Sequence, residues 1–263
     1  MPDGVNAPGF QSHPGYEVNM ETSPRRVRVE FGGEVIADSL RTLLVRETKH
    51  VPVYYFPKPD VRMDLLSATG HATHCPFKGD ASYWTIGAGG RTSENAVWGY
   101  EDPFVECARL EDHVAFYWNK VDRWYEEDDE IFVHARDPYK RVDVVRSSRP
   151  VKVILGGETV AESVNARFLF ETGLPTRYYL PPGDVRRELL TPSDAASSCP
   201  YKGNAVYWTA AAGGRVFENI VWSYPEPIPE MPGIKGLMCF FNEKVDDILI
   251  DGVSIEKVET PWS

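Results

Sequence analysis

The sequence contains one long internal repeat, and this feature constrains the fold more than any other. The segment CPFKG at residues 75–79 returns as CPYKG at residues 199–203. Residues 120–122, KVD, return at 244–246, so residues 75 and 120 both recur 124 positions later. Solenoid units span only about 20–50 residues. Each copy is therefore expected to fold as a domain with its own core.

The hydrophobic pattern within each copy predicts β-strands. Val27, Val29 and Phe31 alternate with polar residues, and Gly32-Gly33 predicts a hairpin turn into a strand at 34–38. Further strands are expected at 43–47, 51–56, 82–86, 95–100 and 114–119, which are rich in Val, Tyr, Trp and Phe. A short helix is expected over 61–66, with Asp60 as its N-cap. The sequence thus predicts two antiparallel all-β domains with short helices.

Composition shifts suggest where the domains begin and end. Residues 1–24 are polar and rich in Gly and Pro, which predicts a flexible N-terminal arm. The first repeat is expected at 25–146 and the second at 147–263, on either side of a short, charged linker. Because the linker is short, we expect the two repeats to pack together.

Charge and cysteine usage exclude several classes of function. Lys plus Arg number 28 against 39 Asp plus Glu, a net charge of −11, which disfavours nucleic-acid binding. No apolar run reaches the roughly 18 residues needed to span a membrane, and the N-terminus lacks the pattern of a signal peptide. None of the four cysteines forms a CxxC pair, so we expect reduced thiols in a cytoplasmic protein with no metal or cofactor.

The repeated Cys-Pro-aromatic-Lys-Gly motif is the main candidate for chemistry. An ammonium group three residues from Cys75 or Cys199 could favour the thiolate and so create a nucleophile. The alternative is a buried thiol that acts as a small hydrophobe, while the lysine pairs with an acid. We take Cys75, Lys78 and Asp80, with Cys199 and Lys202, as candidate catalytic residues; Asn204 replaces the aspartate in the second copy.

A second set of repeated residues could supply an acid and a ligand-binding surface. Strand alternation puts Glu94 on the face of Trp98, where it could be a site carboxylate or a salt-bridge partner, and a Lys78–Glu94 pair would fit both. We take Glu94 and its equivalent Glu218 as further candidate catalytic residues. Glu47 recurs too, as Glu171. Repeated aromatic and arginine residues could line a pocket, or could serve the core and surface salt bridges. The candidate ligand-binding residues are Tyr54, Tyr55, Arg62, Tyr83, Trp98, Tyr178, Tyr179, Arg186, Tyr207 and Trp222.

The repeated motifs together resemble a known domain family. They are Gly32-Gly33, Ala37-Asp38-Ser39, Tyr54-Tyr55-Phe56-Pro57, Asp60-Val61-Arg62, Cys75-Pro76-Phe77-Lys78-Gly79-Asp80, Tyr83-Trp84 and Val97-Trp98, with their counterparts in the second copy. This pattern is similar to that of the DUF427 domain. The resemblance implies a β-tent, or Mss4-like, fold but no established activity, although the family has carried a nucleotidyltransferase-type label. Relatives with this fold often bind zinc through paired CxxC motifs, which this chain lacks.

Three functional hypotheses remain open from the sequence. The first is an enzyme acting on a small molecule, with a Cys/Lys/Glu pocket in each repeat. The second is a binding module for a small anionic or aromatic ligand, in which Lys78 and Arg62 hold the anion. The third is a structural or interaction protein, in which the repeated residues only specify the fold.

Overall fold

The computed structural model describes residues 5–260, and the chain divides into two compact units after Asp137. Each unit contains a seven-stranded and a four-stranded antiparallel sheet. The predicted tandem all-β architecture is therefore confirmed. Among the described residues, no helix is long and apolar enough to cross a membrane.

Within residues 5–137, the first unit has a short helix, α1 (Pro8–Ser12), followed by eleven strands. Its larger sheet has the order β1-β4-β5-β9-β8-β7-β6 and its smaller sheet the order β11-β10-β2-β3. Short 3₁₀ segments lie at Lys58–Asp60, Met63–Leu65, Val105–Leu110 and Trp118–Lys120. The strands are β1 (Val18–Thr22), β2 (Val27–Phe31), β3 (Glu34–Ser39), β4 (Leu43–Glu47), β5 (Val53–Pro57), β6 (Leu66–Cys75), β7 (Gly79–Ala88), β8 (Arg91–Tyr100), β9 (His113–Phe116), β10 (Arg123–Glu126) and β11 (Asp129–Ile131).

The second unit repeats this topology. Its sheets have the orders β12-β15-β16-β20-β19-β18-β17 and β14-β13-β21-β22. Short 3₁₀ segments lie at Pro182–Asp184, Arg187–Leu189 and Pro232–Ile234. The strands are β12 (Val142–Arg146), β13 (Val151–Leu155), β14 (Glu158–Ser163), β15 (Arg167–Glu171), β16 (Arg177–Leu180), β17 (Leu190–Cys199), β18 (Gly203–Ala212), β19 (Arg215–Ser223), β20 (Met238–Phe240), β21 (Asp247–Ile250) and β22 (Val253–Ser254).

Strand β5 shows how the large sheet is buried on both faces. Successive side chains of a strand point to opposite faces. Tyr54 and Phe56 pack with the small sheet in one core, whereas Tyr55 joins a second core on the opposite face. Cys107 and Leu110, from the Val105–Leu110 segment, belong to that second core. The candidate site lies on this second face.

The helix predicted over 61–66 is reduced to a 3₁₀ turn at Met63–Leu65, and its predicted N-cap is wrong. Asp60 does not cap a helix, because its carboxylate accepts hydrogen bonds from Ser39 Oγ at 2.7 Å and from the Arg41 guanidinium at 2.8 and 2.9 Å. Val61 bridges to Ala37, which holds the chain extended between two 3₁₀ turns.

The N-terminal region and the linker also differ from the sequence prediction. Within the expected arm, whose residues 1–4 lie outside the described part, β1 pairs along its whole length with β4. Gly9 is buried, and its amide donates to the Pro76 carbonyl at 2.9 Å. These contacts fix the segment before β1. The unit boundary lies nine residues before the expected one, at Asp137, because β12 pairs with β15 of the second unit.

Candidate functional site

In the first unit, a cavity of about 420 Å³ opens on the face of the large sheet to which Tyr55 points. The turn between β6 and β7 forms one wall, and the ends of β4 and β5 form another. Its lining residues are Tyr16, Glu47, His50, Val51, Val53, Tyr55, His74, Cys75, Pro76, Phe77, Lys78 and Trp98. The cavity thus brings Cys75 together with three other candidate residues from the sequence analysis. These are Tyr55, Lys78 and Trp98, which are spaced along the chain.

A buried ion pair forms one side of this cavity. The Lys78 ammonium contacts a carboxylate oxygen of Glu47, and both side chains are about one-tenth exposed, at 9% and 10%. The Tyr16 hydroxyl donates to the other Glu47 oxygen at 3.1 Å. Lys78 Nζ also lies 5.6 Å from the centroid of the Tyr100 ring. Because the two charges neutralise each other, the pair adds polar groups but no net charge to the wall.

Four aromatic side chains, Tyr16, Tyr55, Phe77 and Trp98, also line the cavity. Tyr16 stacks on Phe77 with centroids 3.7 Å apart and an interplanar angle of 9°. Trp98 Nε1 donates to the Tyr55 hydroxyl at 3.2 Å. Burial raises the pKa of Tyr55 well above its usual value, so this hydroxyl keeps its proton at neutral pH. No acceptor for that proton occurs among residues 5–260, so Tyr55 presents a hydrogen-bond donor.

The cysteines of the first unit have different environments. Cys75 is half-buried and lines the cavity. Cys107 is fully buried, and its thiol donates to the Phe77 carbonyl at 3.3 Å. Burial raises the pKa of the Cys107 thiol to about 12. Of these two thiols, only Cys75 is therefore placed to meet a molecule in the cavity.

The predicted Lys78–Glu94 pair is wrong. Glu94 is exposed and lines a different surface depression together with Arg91 and Lys120. Asn95 has a positive φ of 48°, and the register with β7 shifts at this point, so simple alternation fails between Glu94 and Trp98. Glu218 is exposed in the same way after an equivalent shift in the second unit.

Several other predicted residues lie outside the cavity lining. Asp80 is exposed and forms a hydrogen bond with His74 Nδ1 at 2.6 Å. In the second unit, Ser198 and Asn204 occupy the equivalent positions and form a hydrogen bond at 2.7 Å. Arg62 pairs with Asp64 at 2.7 Å on the surface. Tyr54, Tyr83 and Tyr207 form hydrogen bonds with Glu126, Thr73 and Ser197, respectively. Tyr178 packs against a hydrophobic core of the second unit, and Arg186 forms surface ion pairs with Glu158 and Glu188.

The second unit keeps the buried pair but changes its surroundings. Lys202 contacts Glu171, and Lys140, at the repeat position of Tyr16, adds a second cation 3.0 Å from Glu171. Burial raises the pKa of Glu171, but the two lysines outweigh it and hold the pKa below its usual value. Cys199 remains half-buried here, as Cys75 does.

Arg177 replaces Val53 in the second unit, and this exchange alters the space beside the tryptophan. Its guanidinium lies 5.6 Å from the centroid of Trp222 and forms two hydrogen bonds to Glu243, at 2.6 and 2.7 Å. Trp222 still donates to the Tyr179 hydroxyl, at 3.1 Å. Burial raises the pKa of Glu243, but hydrogen bonds from Arg177 and Thr260 lower it to about 2. The two repeats therefore share the buried Lys–Glu pair and the Trp–Tyr hydrogen bond. They differ in the space beside the tryptophan.

Sequence reasoning missed residues that occur in only one copy. Tyr16, His50 and Val53 line the cavity but correspond to Lys140, Leu174 and Arg177 in the second repeat. Repetition could not reveal them. Glu47 was visible as a repeated acid, but nothing in the sequence distinguished it from Glu94 as the partner of Lys78.

Comparison with known proteins gives the family but no activity. A family model described as a domain of unknown function (DUF427) matches residues 19–127 and residues 143–251. No curated protein matches the chain. The two matched regions coincide with the two structural units and together cover most of the sequence. The chain therefore belongs to the DUF427 family and carries two copies of its domain in tandem.

Proposed function

We propose that the first unit binds a small, flat, uncharged molecule that carries a hydrogen-bond acceptor. The observation that carries this proposal is the cavity beside the neutralised Lys78–Glu47 pair. Its volume of about 420 Å³ falls within the range of small-molecule sites, roughly 300–1,000 Å³.

The chemistry of the wall favours an aromatic ligand over an anion. An anionic ligand would need an unpaired cation, but Lys78 is bound to Glu47 and Arg62 to Asp64. Displacing Glu47 from Lys78 would leave a buried carboxylate unpaired, which is strongly unfavourable. Aromatic walls pack well against a flat ring.

Hydrogen bonding provides the orientation. The hydroxyl of Tyr55, a buried residue in the cavity lining, accepts from Trp98 and retains a proton that it can donate to a ligand. A carbonyl or ring nitrogen of the ligand would satisfy this buried donor. Because an unmatched buried donor costs about 1–3 kcal/mol, molecules without such an acceptor should bind more weakly.

A ligand-observed NMR screen with uncharged aromatic amides and ketones tests the proposal. Binding compounds should lose affinity in the variant V53R/N119E, which introduces into the first unit the Arg177–Glu243 pair of the second. The matched control C199S changes the second unit and should leave binding unchanged. The proposal fails if no compound binds, or if V53R/N119E binds as well as the unmodified chain.

Catalysis by Cys75 is a second candidate, supported by the half-buried position of its thiol in the same cavity. A thiolate nucleophile would need a nearby group that stabilises its charge. Lys78 is committed to Glu47, which weakens this role. An electrophilic aromatic ester tests this role. If C75S leaves non-covalent binding intact but abolishes covalent labelling by the ester, the result supports catalysis by Cys75 over a site that only binds.

A further inference from the structure

A groove in the second unit has a composition unlike the cavity of the first. It measures about 750 Å³ and runs between β12, β15 and the Pro232–Ile234 turn. Its lining contains three basic residues and no Asp or Glu: Arg146, Ser147, Ser148, Val164, Asn165, Arg167, Pro181, Pro232, Gly233, Lys235 and Leu237.

The two arginines are unusual because they face each other. Arg146 on β12 is directly opposite Arg167 on β15 in the strand register. Like charges in this arrangement destabilise a sheet. Within residues 5–260, neither arginine has an acidic partner, whereas Lys235 pairs with Glu226 at 2.8 Å. The guanidinium groups are therefore available to an anion from solution.

The first repeat shows that the fold does not require these arginines. The equivalent register pair is Thr22 opposite Leu43. There, Arg109 lies across the same region, and its guanidinium donates to the Met20 carbonyl at 2.6 Å. Gly233 replaces Arg109 in the second repeat, which leaves the groove open.

We propose that this groove binds small molecules through a phosphate group. Two adjacent guanidinium groups match the dianionic charge and the planar donor geometry that phosphate oxygens accept. Ser147, Ser148 and Asn165 add hydroxyl and amide groups and no competing carboxylate. The volume exceeds that of a bare phosphate ion, so it can hold the organic part of a phosphate ester. The site is separate from the cavity of the first unit and does not depend on the function proposed there.

The test uses the full chain with arginine-selective ¹⁵N labelling and NMR titration with inorganic phosphate, pyrophosphate and phenyl phosphate. The Nε signals of Arg146 and Arg167 should shift and saturate. The variant R146T/R167L introduces the residues of the first repeat and should weaken binding about tenfold or more, because it removes charge-assisted hydrogen bonds.

The control R62T/R141L removes the same charge from two exposed arginines, each paired with a neighbouring acid. It should retain binding. A preference for phenyl phosphate over inorganic phosphate would support an ester as the ligand, and equal binding would support free phosphate, both at the proposed groove. The inference is overturned if neither arginine signal shifts, or if the control weakens binding as much as R146T/R167L.

Discussion

Replacing the buried lysine with methionine should destabilise the two units by different amounts. In the first unit, K78M leaves Glu47 buried at about one-tenth exposure, and among residues 5–260 its side chain then keeps only the Tyr16 hydroxyl as a partner. Removing one member of a buried ion pair costs about 3–5 kcal/mol. In the second unit, K202M leaves Lys140 within 3.0 Å of Glu171. The loss should then be about 1.5–3 kcal/mol, the contribution of one hydrogen bond to a charged group.

Guanidinium denaturation of the full chain, combined with hydrogen exchange resolved by unit, measures both losses. The double variant E47Q/K78M should recover much of the loss of K78M, because it removes both charges instead of one. Equal destabilisation by K78M and K202M, or a loss below about 1 kcal/mol for K78M, would refute the reasoning, since surface pairs fall in that range.

Three further outcomes are expected. Alkylation at mildly alkaline pH should label Cys75 and spare the buried Cys107, as peptide mass spectrometry would show; equal labelling would contradict the assigned burial. The folded-state pKa of Glu243 lies below its unfolded value, so its stabilisation is present above about pH 4.5 and is lost towards pH 2. E243Q should therefore reduce the acid sensitivity of unfolding in that range, and an unchanged profile would count against the ion pair. Finally, G89A should lower the melting temperature far more than G90A, because a Cβ at Gly89 would lie 1.9 Å from a backbone carbonyl oxygen while one at Gly90 meets open space; similar losses would contradict this packing.

Repetition made the framework of the fold predictable from the sequence. The long repeat, the alternation in β2 and the Val-, Tyr-, Trp- and Phe-rich segments such as β5 were sufficient to predict paired all-β domains. Strand β6 escaped prediction because its residues, from Leu66 to Cys75, are mostly polar and exposed. This strand is stabilised by its hydrogen-bonded pairing with β7 and not by burial of a hydrophobic face.

The site was only partly predictable, for a physical reason. Cys75, Lys78 and Trp98 were identified because both repeats keep them. The partner of Lys78 was misjudged because the positive φ at Asn95 interrupts the strand alternation, and single-sequence patterns do not reveal such an irregularity. Tyr16 carries no repeat signal, since a lysine occupies its place in the second copy.

Crystals of the full chain soaked with uncharged aromatic carbonyl compounds would test the central claim most directly. The account predicts electron density for the ring between Phe77 and Trp98, with the carbonyl oxygen within hydrogen-bond distance of the Tyr55 hydroxyl. The Lys78–Glu47 pair should remain intact in the complex. The opposite result, compounds bound elsewhere while only water occupies this cavity, would contradict the proposed ligand site.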